Sequence, residues 1–319
     1  MKSCTAVAPS STANLGPGYD VFGLALDAFE DRIKVTKASR GGGGDKRKII
    51  IKNSDHSISS NPELNSAGLV IKNMMHDFGI DDSIIIEVTK GVPIGYGMGS
   101  SAASAAAAAV AFNTLYSLNI DRNRLVEFAA EGEVASAGTR HYDNVSASLL
   151  GGFVVSRIGG VGDRPHFTTL LPPKDLVLVV AVPCLKVPKK KTEVARSVLP
   201  KEVPLKSVVH NISGATTIVA GFALMDVETI ARGIDDDVII ESARKHLIPG
   251  YDNVKREAIS AGALAVTISG AGPSMIAFLK TSKNAKKVAA AMALGFEEAG
   301  VESKSLVCRP CKGAHLLAS

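Results

Sequence analysis

Tryptophan is absent from this chain of 319 residues, and aromatic residues together make up only 5%. Stacking platforms for nucleobases are therefore scarce. A strong charge of one sign is also lacking. The 36 Lys and Arg against 31 Asp and Glu leave a formal net charge of +5, spread along the chain. That excess suits anionic small molecules and falls short of a nucleic-acid footprint. No apolar run reaches the ~18 residues of a membrane span, and the alanine-rich stretch at residues 102–112 lies deep within the chain. The opening MKSCTAVAPSST has no apolar core of the kind a secretory leader carries. A cytoplasmic protein with neither nucleic-acid nor membrane partners is expected. Cysteines are few as well: Cys4, Cys184, Cys308 and Cys311. The last two form a lone C-x-x-C with no second pair to complete a zinc site, so the spacing reads as incidental, with redox chemistry as the alternative.

Hydrophobic residues at 46% and charged residues at 21% are ample for one or two cores. The length suggests two domains, and the Gly/Pro cluster near residues 160–172 places them at 1–165 and 166–319. Strand-like runs at TAVAP, RIKVT, KIIIK and SIIIEV surround a helical pattern that includes Ala67, Val70, Ile71 and Met74 and stops at Gly79. Residues 39–48, with four consecutive glycines, read as a loop. Helices are expected from about residue 101, over 121–137, 207–225, 252–263 and 284–299. GTRHYDN reads as a loop followed by the strand GGFVVSR; DLVLVVAVP, AVTIS, SMIAFLK and SKSLVC read as further strands. The mixture indicates an α+β class.

The most informative segment is KGVPIGYGMGSSAAS. Gly95, Gly97 and Gly99 bare the backbone just before a helix whose first residues include Ser100 and Ser101. A helix N-terminus offers unpaired N–H groups and positive potential to an anion, and a triphosphate is the natural occupant. The spacing is not that of a Walker loop, since no Lys follows the glycines, and it is a poor dinucleotide fingerprint. A flexible loop capped by serine is the plain alternative. STANLGPGYD and SGAGPS are two further small-residue turns, each of which alone could be a tight connection.

Together the three segments resemble the three motifs of the GHMP kinases, and within that superfamily the chain is most similar to the homoserine kinases. The similarity runs in order through APSSTANLGPGYDVFGLAL, NPELNSAG, VPIGYGMGSSAAS, EVASAGTRHYDNV, KTEVARSVLP, HLIPGY and SGAGPS. It implies an N-terminal domain like the second domain of ribosomal protein S5 and a ferredoxin-like C-terminal domain with ATP between them. It also implies transfer of the ATP γ-phosphoryl group to the side-chain hydroxyl of L-homoserine, a step of threonine biosynthesis, and it allows a homodimer.

By resemblance, Pro93, Ile94, Gly95, Tyr96, Gly97, Met98, Gly99, Ser100, Ser101, Ala102 and Ala103 wrap the ATP phosphates, and Asn65 lies near the adenine and ribose. Ser101 and Glu133 are implied to hold Mg²⁺, an ion that prefers oxygen ligands; without the resemblance Glu133 reads as part of a solvated helix face. Asp20 would receive the substrate ammonium. Arg196 and Arg244 would bind its carboxylate, which suits a guanidinium fork, and His141 would hydrogen-bond the same molecule. Thr192 would stand near the reacting hydroxyl and the γ-phosphate, and Asn14 with an arginine would orient that hydroxyl. The resemblance names no general base. Tyr19 stands where the family usually has Phe, Ser146-Ala147 where Ala-Pro is common, and Met98 where Leu is usual.

Other readings are another GHMP kinase acting on shikimate, mevalonate or a sugar, a non-catalytic nucleotide-binding relative, and, more remotely, a Rossmann-type oxidoreductase. The set Asp20, His141, Arg196 and Arg244 favours an amino-acid substrate. Retention of Ser101, Glu133, Asn14 and Thr192 favours catalysis.

Overall fold

Two long strands, β1 (Ser3–Ala13) and β2 (Phe22–Lys37), open the chain as an antiparallel pair. They belong to a computed structural model that describes residues 2–38, 49–55, 57–159, 163–188 and 191–317, with only the backbone of 136 and 137. The loop expected at residues 39–48 lies outside the described residues. A register shift between Pro9 and Ser10 bends the pair, as a bulge does. The bend lets one strand serve two neighbours. The start of β2 pairs with β5 (Phe153–Arg157), and its end pairs with β4 (Ile84–Thr89). β3 (Ile49–Asn53) runs parallel to β4, β6 (His166–Leu170) extends β5, and β11 (His315–Leu316) returns from the C-terminus to β1. β6 thus sits on the first sheet although it follows residue 165, where the sequence reading divides the chain.

Against this sheet lies α2 (Ser100–Leu115), whose alanines are buried on every side. A helix apolar all round belongs inside a fold, and methyl side chains let β1 and β2 approach its axis closely. α1 (Ser66–Asp77), α3 (Arg122–Ala137) and α4 (Asp143–Leu150) pack around it. No helix is expected at α4, whose first residues Asp143 and Asn144 read as the end of the loop GTRHYDN. Its helical form is fixed by burial of Val145, Ala147 and Leu149. β1 also runs further than expected, taking Ser11, Thr12 and Ala13 out of the turn.

The second sheet has the order β10-β7-β9-β8, formed by β7 (Val177–Pro183), β8 (Ala265–Ile268), β9 (Met275–Leu279) and β10 (Ser303–Cys308). With β7 as first strand, that order is 4-1-3-2, the ferredoxin-like arrangement. Alternation along the strands divides two cores. Val177, Val179, Met275 and Ala277 face α9 (Tyr251–Ser260) and α10 (Ala285–Glu297). Leu178, Val180, Ile276 and Phe278 join the core of the first sheet through α6 (Leu205–Ala223) and α7 (Val227–Ile234). The rings of Phe153 on β5 and Phe222 on α6 stack 3.9 Å apart within that shared core. Among the described residues no helix is long and apolar enough to cross a membrane. Burial pushes the Cys308 thiol upward and the Cys311 thiol up to about 12, which disfavours the thiolate that redox chemistry at the C-x-x-C would require, and both are free cysteines.

Candidate active site

Three segments distant in sequence meet where the sheets adjoin. The Ser11 N–H donates to Met98 O (3.1 Å), the Gly270 N–H to Ala13 O (3.3 Å), and the Ser269 hydroxyl to Gly97 O (2.9 Å) and Thr12 Oγ1 (3.0 Å). The end of β1, the glycine loop and the SGAGPS turn therefore form one hydrogen-bonded floor. Gly97 has φ +77°, and a Cβ there would stand 2.2 Å from Ser269 O. Only glycine fits that crossing. The N-cap of α2 is Gly99 at φ +68°, with no side-chain cap bond, so the first N–H groups of α2 are left to other acceptors.

The loop is held from beneath by groups that the sequence gives no reason to connect. The fully buried Asp31 carboxylate accepts from the Gly91 and Val92 N–H groups (both 3.0 Å) and from the Ser104 hydroxyl (2.7 Å), and it pairs with Lys90. Lys90 also donates to Ser100 O (2.8 Å). Burial lowers the Lys90 ammonium, with Asp31 opposing that shift. Ser100 adds a bond to Val92 O (2.9 Å).

Beside the loop opens a cavity of about 480 Å³. It is lined by Gly95, Gly97, Gly99, Ser100, Ser101 and Ala102, and also by Asn14, Asp20, His141, Thr192, Arg196 and Arg244. Ile94 and Glu133 complete the expected residues on its wall. The other expected loop residues serve elsewhere. The Tyr96 hydroxyl donates to Leu185 O (2.7 Å), tying the loop to the second sheet, while Met98 and Ala103 are buried in the core. Pro93 also stays off the wall. Asn65 is not brought to the cavity either. Its side chain caps α1 through the Gly68 N–H (3.1 Å) and donates to Ser59 O (2.9 Å).

The charged end draws on four elements. Asn14 and Asp20 lie in the turn after β1, both with positive φ (72° and 59°), a conformation that short polar side chains tolerate. The Asn14 amide donates to Gly270 O (2.8 Å), and its oxygen accepts the Asp20 N–H (3.1 Å). Thr192 and Arg196 stand one turn apart on α5 (Lys191–Ser197), a helix where the basic sequence alone reads as loop. Arg244 closes α8 (Ile240–Arg244), whose first N–H groups are capped by Asp237. Its guanidinium donates to Ala195 O (3.0 Å) and Gly270 O (3.4 Å). One Arg196 nitrogen lies 2.8 Å from each Asp20 oxygen and 3.0 Å from His141 Nδ1. Asp20 and Arg196, expected to take opposite ends of a substrate, thus face each other. Burial and the Arg196 charge hold His141 below its ordinary range, so the neutral ring accepts from Arg196. The Tyr19 ring lies under both guanidiniums, 5.4 Å from Arg196 and 5.0 Å from Arg244.

Glu133 and Asp143 place two buried carboxyls on the wall. Burial, then the neighbouring Asp143 charge, pushes Glu133 up to about 8; burial, then Asp20, pushes Asp143 up to about 6. A cation beside Glu133 would offset both causes. Among the described residues no group of three or more His, Cys, Asp or Glu is placed to hold a metal by itself. The oxygen donors Ser101 and Glu133 fit instead an ion such as Mg²⁺ that shares its shell with phosphates and water. Asp143, Asn144 and Lys191 line the same cavity and were not singled out by sequence. The first two lie inside the HYDN motif, which is the one signal that pointed at them.

Comparison with known proteins places this geometry in a family. Residues 65–152 match the profile "GHMP kinases N terminal domain" and residues 218–298 the profile "GHMP kinases C terminal". A homoserine kinase of Methanocella arvoryzae is 39% identical over 318 residues, covering 99% of this chain and 98% of that protein. One from Thermoplasma volcanium is 38% identical over 300 residues, covering 92% and 90%. The crystal structure of a homoserine kinase from Cytophaga hutchinsonii superimposes with a TM-score of 0.90 at 34% identity, covering 99% of this chain and 98% of that one.

Proposed function

The chain belongs to the homoserine kinases of the GHMP superfamily, and from that premise we propose that it transfers the γ-phosphoryl group of ATP to the side-chain hydroxyl of L-homoserine, yielding O-phospho-L-homoserine and ADP. The observation that carries the reading is that a glycine loop and helix N-terminus share one cavity with Asp20, His141, Arg196 and Arg244.

A zwitterionic amino acid carries the same two charges that Asp20 and Arg196 present to each other. Its ammonium pairs with Asp20 and its carboxylate with Arg196 and Arg244, so one ion pair gives way to two. An alcohol without those charges would have to separate Asp20 from Arg196 with nothing in exchange, which excludes it. Neutral His141 keeps Arg196 aimed, and Arg244, anchored on Ala195 O and Gly270 O, is already fixed. The backbone of residues 95–99 and the first N–H groups of α2 bind the phosphates. Thr192, one helical turn from Arg196, sets the hydroxyl toward them, with Asn14 helping to orient it.

Phosphoryl transfer has a loose transition state, so positioning and charge stabilisation carry most of the rate. Mg²⁺ held by Ser101 and Glu133 would supply charge neutralisation on the phosphates. No residue is assigned as general base; as the new O–P bond forms, the hydroxyl proton passes to an oxygen of the transferred phosphoryl group and on to solvent. The same reading makes the protein a cytoplasmic enzyme of threonine biosynthesis. It also favours a homodimer, supported by the exposed apolar row Leu205, Val209 and Ile212 along α6.

The deciding experiment follows ADP release with Mg-ATP and L-homoserine, beside shikimate, mevalonate, galactose and L-serine. A homoserine-dependent signal that Glu133→Ala abolishes is expected. Release driven by a different alcohol, or by none while ATP still binds, would sink the assignment.

A further inference from the structure

One cation on the cavity wall has no part in the reaction as described. Lys191 opens α5, immediately before Thr192, and shares a helical face with Ala195, which is buried and whose carbonyl receives Arg244. Lys191 lines the cavity with Thr192, Arg196 and Arg244. The contrast with Lys90 is instructive. That buried lysine lies on Asp31 and two further oxygen acceptors. Lys191 has no carboxylate within ion-pairing distance among the described residues, and the one charged group that bears on it appreciably is Arg244, of like sign. A mostly buried ammonium with no acid beside it is costly, unless the molecule that enters the cavity brings the negative charge.

We propose that Lys191 is a ligand of the phosphoryl group in transfer: as Mg-ATP enters it takes up a proton from solvent, and the resulting ammonium lies against the γ-phosphoryl oxygens beside Thr192. The inference rests on the reading of the chain as an ATP-dependent kinase. Burial, then Arg244, brings the Lys191 ammonium down to about 7, so in the absence of nucleotide much of the side chain is neutral at physiological pH. The charged groups on the surrounding walls are Arg196 and Arg244, which resist the added proton, and Asp20, Glu133, Asp143 and His141, which lie on other elements. Asp20 is already paired with Arg196. A triphosphate adds several negative charges at once and moves the balance toward the ammonium. Charge on Lys191 then arrives with the substrate that needs it, and the resting cavity avoids placing three like charges together.

The test is calorimetric titration at pH 8 with the magnesium complex of a non-hydrolysable ATP analogue, in two buffers of different ionisation enthalpy, which counts protons exchanged. Wild type should take up most of a proton more per site than Lys191→Arg, whose guanidinium is charged throughout; Glu133 and the other groups contribute equally to both counts. Lys191→Arg should keep nucleotide affinity, and Lys191→Met should lose about 10²-fold in kcat. Equal proton counts in wild type and Lys191→Arg, or an unchanged kcat in Lys191→Met, overturn the role of Lys191 while homoserine turnover stands. Proton uptake with nucleotide but no phosphorylated homoserine from wild type overturns the reaction and leaves the role of Lys191 intact.

Discussion

At the proposed nucleotide end of the cavity the chain relies on backbone and small residues, whereas at the proposed substrate end it relies on long charged side chains. The first is assembled before any ligand enters. Glycines at positive φ, donors from two other segments to the loop's own carbonyls, and the buried Asp31–Lys90 pair fix the loop. The second is held by the Asp20–Arg196 ion pair and by the hydrogen bond from Arg196 to neutral His141, both still partly open to solvent. Triphosphates vary little among kinases, so a rigid cradle serves. On the proposed reading the acceptor must be chosen among alcohols, and a pair of charges that a zwitterion can exchange would do the choosing.

If that contrast is correct, damage at one end should leave the other working. The largest effect is expected from Asp31→Asn. It keeps the shape but leaves Lys90 charged and unpaired in the interior, and removing one partner of a buried pair costs about 3–5 kcal/mol. Urea denaturation should show that loss, together with weakened ATP binding, because the Gly91 and Val92 N–H groups lose a charged acceptor. A variant as stable as wild type would mean that the pair does not hold the loop.

Next in size is Gly97→Ala, whose methyl group would overlap Ser269 O and Gly272 O. Displacing the loop by even an ångström should lower kcat/KM for ATP by about 10²-fold or more, with the homoserine contacts unaltered. Arg196→Ala should do the reverse, lowering kcat/KM for homoserine by about 10²-fold while calorimetry finds nucleotide affinity unchanged. Equal damage to both substrates in either variant would erase the distinction between the ends.

The smallest effect concerns pH. His141 must be neutral to accept from Arg196, and its folded-state pKa lies below the ordinary value of about 6.5. Affinity for homoserine should therefore be full above that range and fall as pH drops through it. Removing Arg196 takes away one cause of the depression, so NMR titration of the His141 ring in Arg196→Ala should move upward. A downward movement would contradict the contact.

The glycine loop and α2 were legible because their determinants are local: four glycines within nine residues, then a run of alanine. α4 and α5 were not, because polar and basic residues there follow loop composition and become helical through burial of Val145, Ala147 and Leu149 and of Ala195. β6 and β11 are short strands whose partners lie far off, in β5 and β1. Asp31 and Lys90, 59 residues apart, carry no shared pattern. Asn65 shows the opposite difficulty. An asparagine before a helix fits a cap as readily as a ligand contact, and here its hydrogen bonds are those of a cap. The charged end was readable by resemblance alone, since nothing in the spacing of Asp20, His141, Arg196 and Arg244 indicates that they converge.

The core that runs from Phe153 through Phe222 to Phe278 belongs to both sheets at once. Either half alone would bare a broad apolar face, and the two are expected to melt together. Scanning calorimetry should record one endotherm whose measured and van't Hoff enthalpies agree; two resolved peaks would speak for independent halves. Welded in this way, the sheets cannot swing apart like jaws.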